Sequence, residues 1–293
     1  MGEIIGAGVV SHVPTIVMPE DDRKRLNNGQ DLSLVEGLDR LRSERLDKLN
    51  PETVVVIDTH WFTTVEHIIT AHDRRKGIFT SDELPRGMPQ VPYDMPGDPE
   101  LAFELEKLAA GREDTRILAC DDPYLPVHYP TINLLGFLQR KENWISVGVC
   151  QTAEVEDFLL LGELLRKTIE TLDRNVVILA SGGLSHRFWP LRDFAKHESS
   201  SLENIRTPEA RKADEEIIQL WENGNHEAVI DFYPEYRTYA PEGFFGHYLI
   251  MAGALGGRLC EASGEKYSDY ESAAGTGQVH MWFDRPEDGW TKS

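Results

Sequence analysis

The sequence predicts an α/β fold: a single-domain αβα sandwich built on a central mixed, largely parallel sheet. Short apolar runs rich in β-branched residues recur along the chain, and segments with a helical spacing of leucines separate them. The apolar runs do not alternate with polar residues, which is typical of parallel strands buried on both faces. They cover residues 3–10, 53–58, 144–150 and 175–181.

The first strand-helix-strand unit follows from the segment between the first two runs. Its leucines fall near one helical face: Leu34, Leu38, Leu41, Leu46 and Leu49. Asn50 and Pro51 end this helix, and the next apolar run begins two residues later. This length suits a right-handed crossover between parallel strands.

The remaining elements extend the same alternation. Asp98 is a capping residue followed by Pro99 in the first turn, which predicts a helix to Gly111. Further strands are expected at 115–120, 267–273 and 278–283, and further helices at 154–174, 208–236 and 243–257. No internal repeat or linker divides the chain, so residues 1–293 are expected to form one catalytic domain.

Two proline-rich loops are longer than a connection requires. Residues 80–100 contain five prolines and residues 121–131 contain three. Proline stiffens irregular backbone, and long loops of this kind often build pockets. We expect irregular coil in both segments.

Composition narrows the classes of partner. The formal charge of -20 argues against nucleic acid and anionic membrane surfaces as ligands. The three cysteines are widely spaced and odd in number, which favours a reducing, cytoplasmic compartment. No apolar run approaches the roughly 20 residues of a membrane span, and the N-terminus lacks the pattern of a signal peptide.

Three histidines, His12, His60 and His186, fall where predicted strands end. Ligands of open parallel sheets collect at the carboxyl ends of the strands. Each histidine taken singly is also consistent with a hydrogen-bonding loop residue. Two histidines and one carboxylate can bind iron(II) and leave coordination positions open, but composition cannot select that carboxylate among 50 acidic residues.

Four short motifs carry a family resemblance: "SHVP", "DTHW", "LASGGLSHRF" and "GTGQV". In this order the chain resembles the class III (LigB-type) extradiol ring-cleaving dioxygenases over nearly its whole length. Within that family, "IFTSDELPRGM" and "AAGTGQV" most resemble the homoprotocatechuate (3,4-dihydroxyphenylacetate) 2,3-dioxygenases. The resemblance implies Fe(II) bound by His12, His60 and Glu242.

The resemblance also implies the groups that move protons. His186 would be the acid/base, since neutral imidazole can accept and return a proton near pH 7. Many family members have Asp-His-Gly-Thr where this chain has "VHYPT"; alignment through Thr131 places Tyr129 at the second acid/base position and His128 at the preceding acid. A plain loop tyrosine is the alternative for Tyr129.

Other residues near these motifs have simpler explanations. Asp58 is two residues before His60, so it either orients that imidazole or is an ordinary acid at the strand end. Trp61 is expected to pack in the core. His247 lies five residues after Glu242, a spacing that directs it elsewhere on a helix. Glu242 itself could instead cap the helix that follows it.

The implied reaction is cleavage of a catechol, most directly 3,4-dihydroxyphenylacetate, by O2 to a muconic semialdehyde, in a homo-oligomer. Other diols or 2-aminophenol would fit the same chemistry. A Memo-like non-catalytic binding protein and a zinc hydrolase are the rival hypotheses. Arg86, Arg187 and Arg192 are candidate receptors for a substrate carboxylate, and spacing does not choose among them.

Overall fold

Four parallel strands occupy the centre of an eight-stranded sheet in the computed structural model, which describes residues 2–291. The strand order is β6-β3-β7-β2-β8-β1-β12-β9, and β7, β2, β8 and β1 run parallel to one another. The strands of this sheet are β1 (Glu3–Val10), β2 (Thr53–Thr63), β3 (His67–Thr70), β6 (Ile117–Cys120), β7 (Asn143–Cys150), β8 (Asn175–Ser181), β9 (Gly264–Lys266) and β12 (Met281–Asp284). Two antiparallel hairpins lie outside it: β4 (Arg74–Phe79) with β5 (Val91–Pro96), and β10 (Glu271–Ala273) with β11 (Thr276–Gln278).

Helices cover both faces of the sheet. They are α1 (Glu20–Leu26), α2 (Ser33–Leu41), α3 (Asp47–Leu49), α4 (Pro99–Ala109), α5 (Tyr129–Leu138), α6 (Val155–Leu172), α7 (Pro208–Glu222), α8 (His226–Tyr236) and α9 (Gly246–Ala254). One π-helical turn, Arg42–Leu46, joins α2 to α3, so the predicted leucine-rich helix is continuous until Asn50 adopts a left-handed conformation.

The two faces of the sheet bury separate cores. On β2, Val55 and Ile57 face the core formed with α4, α6, α7, α8 and α9, whereas Val54 and Val56 face the core formed with α2 and α5. Alternate residues of a strand point to opposite faces, so a run of four apolar residues supplies both cores. The αβα sandwich with a central, largely parallel sheet is therefore confirmed.

Three local expectations were wrong. β2 does not end at His60 but continues to Thr63. The proline-rich segment 80–100 includes strand β5, because Pro92 and Pro96 lie on a two-stranded hairpin, where a missing N–H is tolerated. The second proline-rich segment leads directly into α5, whose Pro130 occupies the first turn. Within residues 2–291, no helix combines the length and apolar character needed to cross a bilayer.

Candidate metal centre

The carboxyl ends of three neighbouring strands meet at one cluster of side chains. His12 lies two residues beyond β1, and His60 lies near the end of β2. Nε2 of His12 is 3.0 Å from Oε1 of Glu242, and Nε2 of His60 is 3.1 Å from the same oxygen. The ligand atoms of these three residues lie within 4.8 Å of one another. The chain thus brings two imidazole nitrogens and one carboxylate oxygen to a single point.

A bulge in β2 presents His60 to the cluster. Pairing with β7 passes from Asp58, opposite Gly148, directly to Phe62, opposite Val149, so residues 59–61 leave the ladder. Asp58 stabilises this bulge, because its carboxylate accepts the His60 backbone N–H (3.0 Å) and the Thr131 hydroxyl (2.8 Å). Asp58 therefore supports the backbone of His60, and of its two possible roles these contacts favour the acid at the strand end over the orienter of the imidazole.

Strained backbone follows Glu242 directly, where a regular helix would be expected. Gly243, Phe244 and Phe245 all have positive φ, and α9 begins only at Gly246. A left-handed conformation is costly for the two phenylalanines, and such strain concentrates at functional sites. A side chain at residue 243 would collide with Thr59, whose hydroxyl donates to Oε1 of Glu242 (2.8 Å). Helix capping thus does not explain Glu242.

The second nitrogen of each imidazole is also engaged. Nδ1 of His12 is 2.9 Å from Oγ of Ser181, at the end of β8. Nδ1 of His60 is 2.8 Å from Oε1 of Glu83, a half-exposed residue of the β4–β5 connection. Partners of this kind fix the tautomer and the ring orientation of metal-binding histidines. Sequence reasoning missed Glu83, because one exposed acid in a loop carries no distinguishing signal.

The electrostatics favour a cation at this point. Burial alone would raise the pKa of Glu242, but His12 and His186 beside it hold that pKa well below its usual range. Burial opposes protonation of His60, yet Glu242 and Glu83 raise its pKa to about 10. A buried carboxylate needs a positive partner, and either imidazolium protons or a metal ion can supply it. Two neutral imidazoles and one carboxylate suit a divalent transition metal.

Two predicted proton-handling side chains flank the ligand atoms. The Tyr129 hydroxyl is 2.7 Å from Nε2 of His60, and its ring lies against both His12 and His60. Burial and the nearby Glu242 raise the pKa of Tyr129, so it remains a hydrogen-bond donor. Nε2 of His186 is 3.7 Å from Oε2 of Glu242, and burial lowers the pKa of His186. Their catalytic roles stay predictions.

Two other histidines lie outside the group of ligand atoms. The His128 ring is stacked near Trp61, with centroids 6.1 Å apart, and its Nε2 is buried without a hydrogen-bond partner. His247 is fully buried next to Gly182, where any side chain at residue 182 would strike the imidazole. The core packing expected for Trp61 agrees with its burial, and the acid role of His128 stays a prediction.

Exposed aromatic rings lie beside the cluster. Phe62 and Phe244 follow His60 and Glu242 by two residues each, and their ring centroids are 5.9 Å apart. The Phe188 ring is 4.9 Å from that of His186. All three phenylalanines are at least 39% exposed, so apolar surface near these polar groups is open to a ligand.

Comparison with known proteins identifies the family. Residues 6–284 match the family model described as the catalytic LigB subunit of aromatic ring-opening dioxygenase. The chain is 31% identical over 261 residues to 3,4-dihydroxyphenylacetate 2,3-dioxygenase of Escherichia coli, covering 87% of this chain and 91% of the relative. It is 25% identical over 256 residues to the 2-aminophenol 1,6-dioxygenase beta subunit of a Pseudomonas species, covering 80% and 79%.

A solved structure shares the fold. The uncharacterized protein JW3007 from Escherichia coli K12 superposes with a TM-score of 0.64 at 16% identity, over 95% of this chain and 99% of that one. At this identity the likeness concerns the fold alone, whereas the family match spans the segments that carry His12, His60 and Glu242. The chain therefore belongs to the LigB family of aromatic ring-opening dioxygenases and is a class III extradiol enzyme.

Proposed function

We propose that this chain cleaves 3,4-dihydroxyphenylacetate with O2, in an Fe(II)-dependent extradiol reaction that yields a muconic semialdehyde. One observation carries the proposal: the His12, His60 and Glu242 ligand atoms lie within 4.8 Å of one another, beside Tyr129 and His186. Residues 1–293 as a whole are proposed to be one catalytic domain, of which the family match covers 6–284.

His12, His60 and Glu242 are the proposed iron ligands. Their donor set is the two-histidine, one-carboxylate combination that suits non-haem Fe(II). When bound, Fe(II) supplies open coordination positions and the electron transfer that couples a catechol to O2. Ser181 and Glu83 orient the two imidazoles through their Nδ1 atoms.

The side chains that flank the proposed iron ligands are proposed to transfer the protons. His186 is the proposed base that takes a phenolic proton, and it later returns a proton as the acid. Tyr129 donates a hydrogen bond to a substrate oxygen from beside His60. His128 immediately precedes Tyr129 in the chain and is proposed as an auxiliary acid.

The substrate class rests on the relatives and on the loop motifs. The relative at 31% identity is named for 3,4-dihydroxyphenylacetate. That substrate carries a carboxylate tail, for which Arg86, Arg187 and Arg192 are exposed candidate receptors. Arg187 is adjacent to His186, and its Nη2 donates to the Thr238 carbonyl (2.7 Å). Its other N–H groups remain as possible donors to a substrate carboxylate.

The setting of the enzyme is also part of the proposal. Cys120, Cys150 and Cys260 are all free thiols, which supports a reducing cytoplasm. A homo-oligomer is proposed by analogy with the family. Sedimentation of the purified protein over a range of concentrations tests the assembly.

The decisive experiment is oxygen consumption by the Fe(II)-reconstituted protein. 3,4-Dihydroxyphenylacetate is compared with catechol, a biphenyl diol and 2-aminophenol, and the yellow product is followed by absorbance. We expect stoichiometric oxygen uptake with the first substrate and no reaction under nitrogen. Absence of uptake on every diol and aminophenol would contradict the enzyme assignment and favour a Memo-like binding protein. Turnover that persists under nitrogen would favour a hydrolase.

2-Aminophenol is the second candidate substrate. The observation that favours it is the match to the 2-aminophenol 1,6-dioxygenase beta subunit over 80% of this chain. An amino group and a hydroxyl on adjacent carbons offer the same pair of donor atoms as a diol. The ratio of kcat/KM for the two compounds decides between them.

A further inference from the structure

A second buried carboxylate, Asp214, lies outside the metal centre on α7. It is fully buried and accepts hydrogen bonds from four neutral donors. Oδ1 accepts from the Ser185 backbone N–H (3.0 Å) and the Tyr236 hydroxyl (2.8 Å). Oδ2 accepts from the Ser185 hydroxyl (2.7 Å) and the Tyr270 hydroxyl (2.6 Å). Two of the four bonds come from Ser185, which immediately precedes His186.

Ser185 also joins the segments that carry His186 and Glu242. It forms an antiparallel bridge with Pro241, the residue before Glu242. The His186 N–H donates to the Ala240 carbonyl (3.1 Å), and the Glu242 N–H donates to the Leu184 carbonyl (3.1 Å). The position of His186 relative to Glu242 therefore depends on where Ser185 is held.

The "GTGQV" motif makes room for this carboxylate. Gly277 exchanges backbone hydrogen bonds with Leu184 and Ser185, and a Cβ at residue 277 would overlap Oδ2 of Asp214. Only glycine permits this approach. A charged side chain that is desolvated this completely must be held by directed hydrogen bonds, so the carboxylate fixes the geometry of its four donors.

We propose that Asp214 is a positioning residue, which holds His186 at its working distance from Glu242 by anchoring Ser185. Its hydrogen-bond partners within residues 2–291 are Ser185, Tyr236 and Tyr270, none of which is a proposed iron ligand, so it acts on His186 through Ser185. The proposal rests on the proposed function, in which His186 moves protons.

A double-mutant cycle tests this coupling. Asp214→Asn keeps the shape but removes the charge, and its amide donates where Oδ2 accepts, so the two bonds to the Ser185 and Tyr270 hydroxyls must reverse direction and the charge-assisted anchoring of Ser185 weakens. We expect kcat for 3,4-dihydroxyphenylacetate to fall on the order of tenfold, with iron content and KM within about twofold of wild type. His186→Asn alone should cost more, and adding Asp214→Asn to it should cost nothing further. The proposal would be overturned if Asp214→Asn lowered kcat by the same factor in wild type and in His186→Asn, or if it caused a loss of iron.

Two further measurements cover the other outcomes. If Asp214→Asn fails to fold, Ser185→Ala takes its place in the cycle, because this variant removes one of the four hydrogen bonds to Asp214. Glu142→Gln is the control for altering a buried acid, since Glu142 pairs with Arg42 at the other end of the sheet. A crystal structure of the variant should show the His186 ring displaced from its 3.7 Å contact with Glu242. If the His186 ring of the variant has not moved, the positioning role of Asp214 is refuted, whether or not the wild-type protein cleaves a diol. If the wild-type protein cleaves no diol, only the proposed function is contradicted.

Discussion

Glu242 and Asp214 are both buried acids, yet their neighbours give them different chemistry. Glu242 accepts from the Thr59 hydroxyl and the Gly183 backbone N–H and also faces three imidazoles within 3.7 Å. Asp214 faces three hydroxyls and one backbone N–H. The imidazoles hold the pKa of Glu242 well below its usual range. Asp214 forms no ion pair with any of residues 2–291, and burial raises its pKa to about 6 against the hydrogen bonds.

This difference shows that burial of an acid does not by itself indicate a metal site. Imidazole nitrogens can exchange their protons for a metal, so the surroundings of Glu242 can accept a cation. The hydroxyls around Asp214 donate to an anion that is already satisfied. The first acid is suited to binding and the second to holding backbone in place.

The largest expected effect comes from removing the ligand carboxylate. Glu242→Gln should abolish iron binding and lower kcat/KM on the order of a thousandfold, because the amide does not supply the negative charge that offsets the cation. Iron content and oxygen uptake measure the two effects. Asp214→Asn should retain iron, and a Glu242→Gln protein with full iron occupancy would remove the distinction between the two acids.

Tyr129→Phe should separate chemistry from metal binding. The variant keeps the buried ring against His12 and His60 but loses the hydroxyl that lies 2.7 Å from Nε2 of His60. We expect kcat to fall on the order of a hundredfold, with iron content unchanged. Steady-state kinetics beside metal analysis is the measurement. Unchanged kcat would assign Tyr129 to packing.

Glu83→Gln should weaken the metal site more modestly. Loss of the charged partner of His60 Nδ1 is expected to reduce iron affinity about tenfold, as measured by competition with a chelator. Asp82→Asn, which alters the preceding exposed acid of the same loop, is the matched control. Equal effects of the two variants would indicate a general electrostatic contribution rather than the Glu83–His60 contact.

The smallest effect concerns histidines away from the cluster and alters stability rather than activity. Burial lowers the pKa of both His67 and His280 to about 4. The folded protein thus favours their neutral forms, and this contribution is complete above pH 6.5 and disappears as the pH falls toward 4. Protonation of each of these two histidines should lower the unfolding free energy by about 2 kcal/mol as the pH falls from 7 to 5. Denaturant titrations at several pH values measure how steeply the unfolding free energy falls with pH, and this fall should be shallower in His67→Gln. An identical pH dependence would contradict the lowered pKa of His67.

The sequence predicted the architecture well because the signals were local. Apolar runs and leucine spacing placed β1, β7, β8 and α6 within one or two residues of their observed bounds. Helix α5 and the β4–β5 hairpin escaped prediction, because prolines at Pro92, Pro96 and Pro130 resemble coil until a neighbouring strand or a first helical turn accommodates them.

The candidate site was predicted only in part. His12 and His60 stand out at strand ends, but Glu242 entered through family resemblance, and Glu83 and Asp214 were not singled out at all. The role of Asp58 stayed open between two alternatives, because only the bulge over residues 59–61 decides that its carboxylate meets the backbone N–H of His60. Contacts between residues that are far apart in sequence produce no local pattern from which they could be predicted.

By itself, the amino-acid sequence determined which segments become strands and helices, where the apolar faces lie, and which residue types are available for chemistry. Only the tertiary structure decided that Glu242, immediately before a left-handed turn, meets three imidazoles while Asp214 meets hydroxyls. The reason is physical. Periodicity and capping act over a few residues, whereas the environment of a buried charge is set by chain segments that meet only when the sheet is assembled.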